Sequence, residues 1–304
     1  MTHSLCAVEG LIGRPHFAPE VLRGSAETLR MARAGDDEAH CEGHAFRIAL
    51  LLLLGIALPT AAGADRRWFL YTYSPYAESA GEAEVETWVT ARIGKQDPAG
   101  TLWEPRAEFE YAVTPRLGAA AYLNFVKESD HAVKLESASI EWILGLAKPG
   151  TIAGDPAIYL ETTAASSEFE LEPKLLLGHE HGRWVTGANL IGEFEFRRND
   201  EELLPSGDVL HRAAAAELSG GVAYQATPRL SLGIEARYRS EHPNFGPEGA
   251  ALFSAGPNAN LQLGKVQLGV ALLPRLWGRA STSGNGDLDD FERSQVRAVL
   301  GLEL

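Results

Sequence analysis

Long stretches in which polar and apolar residues alternate are the feature that most limits how this chain can fold. In EAEVETWVTARI (82–93), the column that starts at Glu82 holds three glutamates and an arginine, whereas the column that starts at Ala83 is apolar or small. Because a β-strand sends successive side chains to opposite faces, this pattern predicts a strand with one wet and one dry face. The same period recurs through the rest of the chain, and we find no convincing helical period after residue 65.

Alternating segments and the turn signals between them predict about twelve strands. The predicted strands span residues 82–93, 103–113, 117–126, 137–146, 157–166, 169–178, 183–197, 211–226, 230–239, 250–263, 266–276 and 293–304. Strands of soluble proteins have about 5–6 residues, whereas about 9–11 residues cross a bilayer at a tilt. The predicted lengths are therefore typical of membrane-spanning strands.

The connections between these strands alternate in length. Short turns are expected at the two copies of TPRL (114–117 and 227–230), at GK (264–265) and at GHEHG (178–182). Longer polar loops, at 127–136, 198–210, 240–249 and 278–292, all fall at the opposite end, and only the 147–156 link is long for its end. Short periplasmic turns with long outer loops are the rule for outer-membrane barrels.

The direction of the apolar face separates a membrane barrel from a soluble periplasmic β-protein. We favour the barrel because the polar face is heavily charged and the apolar face offers little bulk for a packed core. Aromatic residues on the apolar face also gather near strand ends, as in the two interfacial belts of membrane barrels. The outer belt is predicted to hold Trp103, Phe125, Phe196, Tyr238 and Phe253, and the inner belt Tyr111, Trp184 and Tyr224; Trp88 and Trp142 lie in mid-strand and do not fit. The predicted fold is all-β: a closed antiparallel up-and-down transmembrane β-barrel of about twelve strands, in which strand 293–304 pairs with strand 82–93.

The first 64 residues are interpreted as a leader. An apolar core at 48–58 follows Arg47, and Ala62-Gly63-Ala64 precedes a predicted cleavage after Ala64, which is the layout of a signal peptide; a short buried helix is the alternative. The long acidic stretch before it is interpreted as over-read upstream sequence. Residues 65–81 are then a periplasmic N-terminal segment or a plug of the inner mouth, and 82–304 form the barrel.

These features resemble Gram-negative outer-membrane β-barrel proteins, and the stretch YTYSPYAESAGEAEVETWVTAR (71–92) is similar in style to uncharacterised, transporter-like families among them. The resemblance is architectural and brings no catalytic motif with it. It implies a location in the cell outer membrane, contact with outer-membrane lipid, and insertion by the barrel assembly machinery.

If the apolar face meets lipid, the charged face lines a lumen. The residues predicted to line it are Glu84, Glu86, Arg92, Arg106, Glu108, Glu110, Glu170, Glu172, Lys174, Glu193, Glu195, Glu235, Arg237, Arg275 and Arg297. This acidic bias predicts a narrow channel or transporter for small polar or cationic solutes. The alternatives are a network of Glu–Arg pairs that is purely structural, and a non-conducting barrel that interacts through loops 198–210 and 278–292.

Several other functions are disfavoured by the sequence. A net charge of −14 argues against nucleic-acid binding, which needs a basic face. No hydrolase, metalloprotease or phosphate-binding motif is present, so no enzyme activity and no cofactor are expected. His179 and His181 lack a third ligand, and the loop STSGNGDLDDFE (281–292) lacks the full calcium-loop pattern, so no metal site is predicted.

Overall fold

The computed structural model describes residues 67–76, 79–95, 100–128, 131–198, 210–247, 249–280, 288 and 291–304, so the predicted leader lies outside the described residues. Twelve strands form in this part of the chain. They are β1 (Ala83–Lys95), β2 (Gly100–Thr114), β3 (Leu117–Val126), β4 (Lys134–Gly145), β5 (Ala157–Ala164), β6 (Glu168–His181), β7 (Trp184–Arg198), β8 (Leu210–Gln225), β9 (Leu230–Pro243), β10 (Ala251–Leu263), β11 (Val266–Arg279) and β12 (Ser294–Glu303). Across the described ranges, no helix is long and apolar enough to cross a bilayer.

Each strand pairs antiparallel with its neighbours in sequence, and β12 pairs with β1 to close the sheet into a barrel. The closing seam runs from Glu84 opposite Glu303 to Ile93 opposite Ser294. Closure matters because an open edge in a bilayer leaves backbone N–H and C=O groups unpaired, at several kcal/mol each. The predicted closed up-and-down barrel is confirmed.

The apolar face of the sheet points outward. Phe109 on β2 and Ile234 on β9 are 48% and 65% exposed, whereas Glu86 on β1 and Glu235 on β9 are fully buried. A soluble barrel has the opposite arrangement, because its apolar face makes the core. Large apolar side chains are exposed on every strand except β10 and form an outer surface of the kind that lipid covers, so this is a membrane-spanning barrel.

Several strands are longer than predicted. β2 begins at Gly100 and β9 runs to Pro243, and β6 continues to His181, which pairs with Trp184. The prediction that GHEHG is a turn was therefore wrong, since His179 and His181 lie within β6 and only Gly182 and Arg183 make the turn. Gly182 has a φ of +63°, a conformation that other residues rarely adopt. His211 and His242 also lie in strands, in β8 and β9.

Two aromatic pairs that include predicted belt members lie at opposite ends of the barrel. Near the short turns, the Trp184 and Tyr224 rings lie 4.8 Å apart across β7 and β8. At the other end, Phe196 packs edge-on against Phe245. Their depth in the bilayer stays a prediction, as it does for the remaining members: Trp103, Tyr111, Phe125, Tyr238 and Phe253. Trp88 does not fit the belts because it faces the lumen and is buried.

Candidate functional site in the barrel lumen

Residues 67–76, here called the lumen segment, lie inside the barrel before β1 begins. Phe69, Leu70, Tyr71 and Thr72 are all buried. The segment contacts the lumen face of strands that lie across the barrel from each other, such as β1 through Glu86 and β7 through Asn189. A stretch of chain therefore occupies the space through which a solute would pass.

Glu235 on β9 holds the middle of the lumen segment. Its carboxylate accepts hydrogen bonds from the backbone N–H groups of Leu70, Tyr71 and Thr72, at 2.8, 2.7 and 2.9 Å. Asn258 on β10 donates a fourth bond to it, at 2.6 Å. Successive backbone N–H groups form a concavity that binds anions. Four donors thus satisfy a carboxylate that is completely buried.

Other wall side chains bond the backbone on either side of Glu235. The Asn189 amide accepts from the N–H of Tyr73 at 2.6 Å and donates to its carbonyl at 3.0 Å, as a neighbouring strand would. The remaining bonds are Asn258 and Asn260 to the Trp68 carbonyl (3.2 and 2.9 Å), Arg297 to the Leu70 carbonyl (2.9 Å), and the Arg67 N–H to the Gln267 side chain (2.8 Å). All of these bonds join segment backbone to wall side chains, so breaking them leaves the strand ladder intact.

Glycines in the wall make room for the side chains of the segment. A Cβ added at Gly221 on β8 would lie 2.6 Å from the Phe69 ring, and one added at Gly269 on β11 would lie 3.2 Å from Leu70. Real Cβ atoms almost never approach as closely as the first of these distances. The Phe69 ring also packs against Val185 on β7, which holds the segment against this part of the wall.

Cations of the wall lie over the aromatic rings of the segment. The Arg297 guanidinium lies 4.1 Å from the Tyr71 ring centroid, with Arg237 at 5.0 Å on the same ring. Lys174 on β6 lies 3.7 Å from the centroid of Tyr73. Each such contact contributes about 0.5–2 kcal/mol, more when the cation is desolvated.

The same cations are paired with wall carboxylates. Lys174 binds Glu172 at 2.6 Å and Glu161 at 3.6 Å. Arg237 binds Glu217, and Arg239 binds Glu193 with two bonds of 2.7 and 2.8 Å. Since buried charges need partners, this network accounts for many of the charges in the lumen.

A separate network lies at the end of the barrel where β11 leads to β12. Arg92 on β1 binds Glu104 and Glu292, each at 3.3 Å. Burial raises the pKa of the Glu292 carboxyl, but the Arg92 guanidinium and a hydrogen bond from Gln295 outweigh it and hold that pKa below its usual range. Arg275 on β11 donates hydrogen bonds to the carbonyls of Leu288 and Phe291, which holds these two residues against the wall.

The predicted lumen residues thus separate into three groups. Those that contact the lumen segment are Glu86, Glu110, Lys174, Glu235, Arg237 and Arg297. Those that bond wall side chains or connections are Arg92, Arg106, Glu172, Glu193, Glu195 and Arg275. The others are Glu84 and Glu108, which are buried, and Glu170, which is half-buried.

Sequence reasoning missed the neutral and paired residues that bind the segment. Asn189, Asn258, Asn260 and Gln267 make five of the nine hydrogen bonds described above between wall side chains and the segment backbone. Glu217 and Arg239 complete the ion pairs. The signal was present in the alternation, because Asn258 and Asn260 share a column in PNANLQL (257–263). The sequence-based list of lumen residues included only charged side chains, so it left out the amides in the same column.

Two cavities lie beside this site. The larger, of about 340 Å³, extends toward the end where β5 leads to β6, and Trp88 and Arg297 form part of its lining; five glutamates and three arginines give it a net negative lining. The smaller, of about 90 Å³, adjoins Arg67, Glu108 and Glu110.

Two groups of three carboxylates in the described part of the chain lie close enough together that each could hold a metal ion. The sequence-based expectation that there is no metal site stays a prediction. In each group, one oxygen from each residue lies within 4.8 Å of the others. The groups are Glu86, Glu108 and Glu110, and Glu170, Glu172 and Glu193.

A solved structure shares this fold. An outer-membrane channel from Pseudomonas putida F1 is 13% identical with a TM-score of 0.50, over 78% of this chain and 100% of that one. The NanC porin is 11% identical with a TM-score of 0.48, over 73% of this chain and 100% of that one. At such identities the likeness shows the fold alone. No family model and no curated protein matches the sequence.

Proposed function

We propose that this outer-membrane β-barrel is a narrow channel for small polar or cationic solutes, and that the lumen segment closes it. The observation that carries the proposal is the way the segment is bound. Glu235, Asn189 and the other wall residues hold it through side chains, outside the strand ladder. A closure of this kind is reversible, because the barrel keeps its own backbone hydrogen bonds when the segment leaves.

The lining of the larger cavity supports a preference for cations. Five glutamates and three arginines surround about 340 Å³. Rings of acidic side chains favour cations in pores, and low-dielectric walls strengthen that field. A small cation or a polar neutral solute fits this lining better than an anion does.

The channel is tested by recordings in planar bilayers with the intact chain and with a variant that lacks residues 67–76. We expect small or rare conductance steps from the intact chain and steps at least threefold larger from the deletion variant. Under a KCl gradient, the reversal potential should have the sign of cation selectivity. A heat-dependent shift in gel mobility controls for folding of each barrel.

The second candidate function is a non-conducting barrel. It is favoured by the ion pairs of Lys174, Arg237 and Arg239, which link wall side chains in the lumen. Absence of any conductance from the folded deletion variant, at every salt concentration, would reject the channel in favour of this alternative.

A further inference from the structure

Glu86, Glu108 and Glu110 form a concentrated negative charge near the start of the lumen segment. Glu86 on β1 lies directly opposite Glu108 on β2, and Glu110 follows on the same face of β2. Like charges directly opposite each other across two strands are destabilising. One oxygen from each residue lies within 4.8 Å of the others, so the three carboxylates need positive charge at one point.

Arg67 supplies only part of that charge. Its Nε and Nη2 atoms bind Glu86 at 3.1 and 2.7 Å, and Nη2 lies 3.5 Å from Glu110. Glu108 is only 5% exposed, and its Oε2 atom has no hydrogen-bond partner among the described residues. The neighbouring Arg106 directs its Nε to Asn124 instead. A buried carboxylate oxygen without a donor is costly, which indicates that another ligand completes the site.

We propose that Glu86, Glu108 and Glu110 bind a hard divalent cation of the Ca²⁺ type, and that this ion competes with Arg67. Three carboxylates offer up to six oxygens, and Ca²⁺ takes about 6–8 at about 2.3–2.6 Å. The adjoining cavity of about 90 Å³, which Glu108 and Glu110 also line, has room for water to complete the coordination. An ion of charge +2 balances the three carboxylates better than one guanidinium does.

Competition with Arg67 links the ion to the lumen segment, and this link rests on the proposed closing role of that segment. Arg67 is the first described residue of the segment, and its contacts to Glu86 are lost if the ion takes those oxygens. By thermodynamic reciprocity, an ion that weakens the hold on the segment binds more tightly once the segment is released.

Calcium binding is measured by isothermal titration calorimetry with CaCl2, on the intact chain in detergent. The Glu108→Gln variant keeps the size of the side chain and removes its charge, and it should raise the dissociation constant for Ca²⁺ at least tenfold. Glu180→Gln removes the same charge from an exposed position on β6, outside both carboxylate groups, and is the matched control, which should bind as the unsubstituted chain does. Glu170→Gln tests whether the other carboxylate group accounts for the binding instead. Equal binding by the Glu108→Gln variant, or loss of binding in the Glu170→Gln variant alone, would overturn the site.

The Arg67→Gln variant tests the competition. It should bind Ca²⁺ at least tenfold more tightly than the unsubstituted chain, because the competing guanidinium is gone. Unchanged affinity in this variant would reject the competition, and no binding in either chain would reject the site itself. Calorimetry requires no ion current, so these outcomes are independent of whether the barrel conducts.

Discussion

At the scale of single residues, the lumen wall meets the lumen segment with side chains that bond its backbone and with glycines that leave space for its rings. Glu235 and Asn189 belong to the first kind, and Gly221 and Gly269 to the second. Both kinds lie on the face that alternation assigns to the lumen. The fit is therefore specific to this segment, since a wall lined only by ion pairs has no need of glycines beside an aromatic ring.

A methyl group at Gly221 should push the segment out of place. The added Cβ would lie 2.6 Å from the Phe69 ring, and overpacking of this kind costs about 1–3 kcal/mol. We expect Gly221→Ala to speed tryptic cleavage after Arg67 about tenfold, as followed by mass spectrometry.

Two further variants serve as a rescue and as a control for this prediction. Phe69→Ala in the Gly221→Ala background should slow cleavage again, because the clash is removed. Gly192→Ala, whose Cβ would lie at an ordinary 3.6 Å from the Phe194 ring, should behave as the unsubstituted chain does. Equal cleavage of the Gly221→Ala and Gly192→Ala variants would show that Phe69 does not rest against Gly221.

Alternation indicated which side chains enter the lumen, but it carried no information on their partners. Glu235 was predicted to face inward from its column in LSLGIEARYR (230–239). Its partners are N–H groups about 165 residues away along the chain, and a hydrogen bond from backbone leaves no mark on the identity of the donor residue. The sequence could therefore predict which side chains face the lumen, but it could not predict which of them contact the segment.

At the scale of elements, the strands follow from local sequence and their ends do not. Period-two patterning predicted twelve strands, and twelve form in the described part of the chain. β6 and β9 extend beyond their predicted ends because partner strands continue the hydrogen-bond ladder there, as with His181 opposite Trp184. Turn residues within a segment do not stop a strand while a neighbour still pairs with it.

The outward face of β7 provides a test of its environment. Leu190 lies near the middle of the strand and is 58% exposed, whereas Thr186 lies on the same face near the turn. An arginine at mid-membrane costs about 2–4 kcal/mol, and one near the interface about 0–1. We therefore expect Leu190→Arg to lower the free energy of unfolding in lipid vesicles by about 2–4 kcal/mol. The Thr186→Arg control should change it little, and equal stability of both variants would argue against lipid around β7.

At the scale of the whole molecule, closure of the sheet and filling of its lumen are separate events. The seam between β1 and β12 removes the sheet edges, and it was expected from the alternation in both strands. The lumen segment then adds a second layer of contacts inside a barrel that is already complete. Sequence analysis interpreted residues 65–81 as a periplasmic segment or a plug of the inner mouth. The depth of residues 67–76 in the lumen depends on Glu235, Asn258 and Asn260 acting together.

The most direct test of this account is hydrogen–deuterium exchange at the amides of Leu70, Tyr71 and Thr72. In the intact barrel these amides should exchange slowly, as strand amides do, because the Glu235 carboxylate accepts from all three. The Glu235→Gln variant should exchange at least tenfold faster there, while the β1 and β12 amides keep their protection. Exchange of the three amides in the unsubstituted chain at the rate of a free peptide would contradict the account.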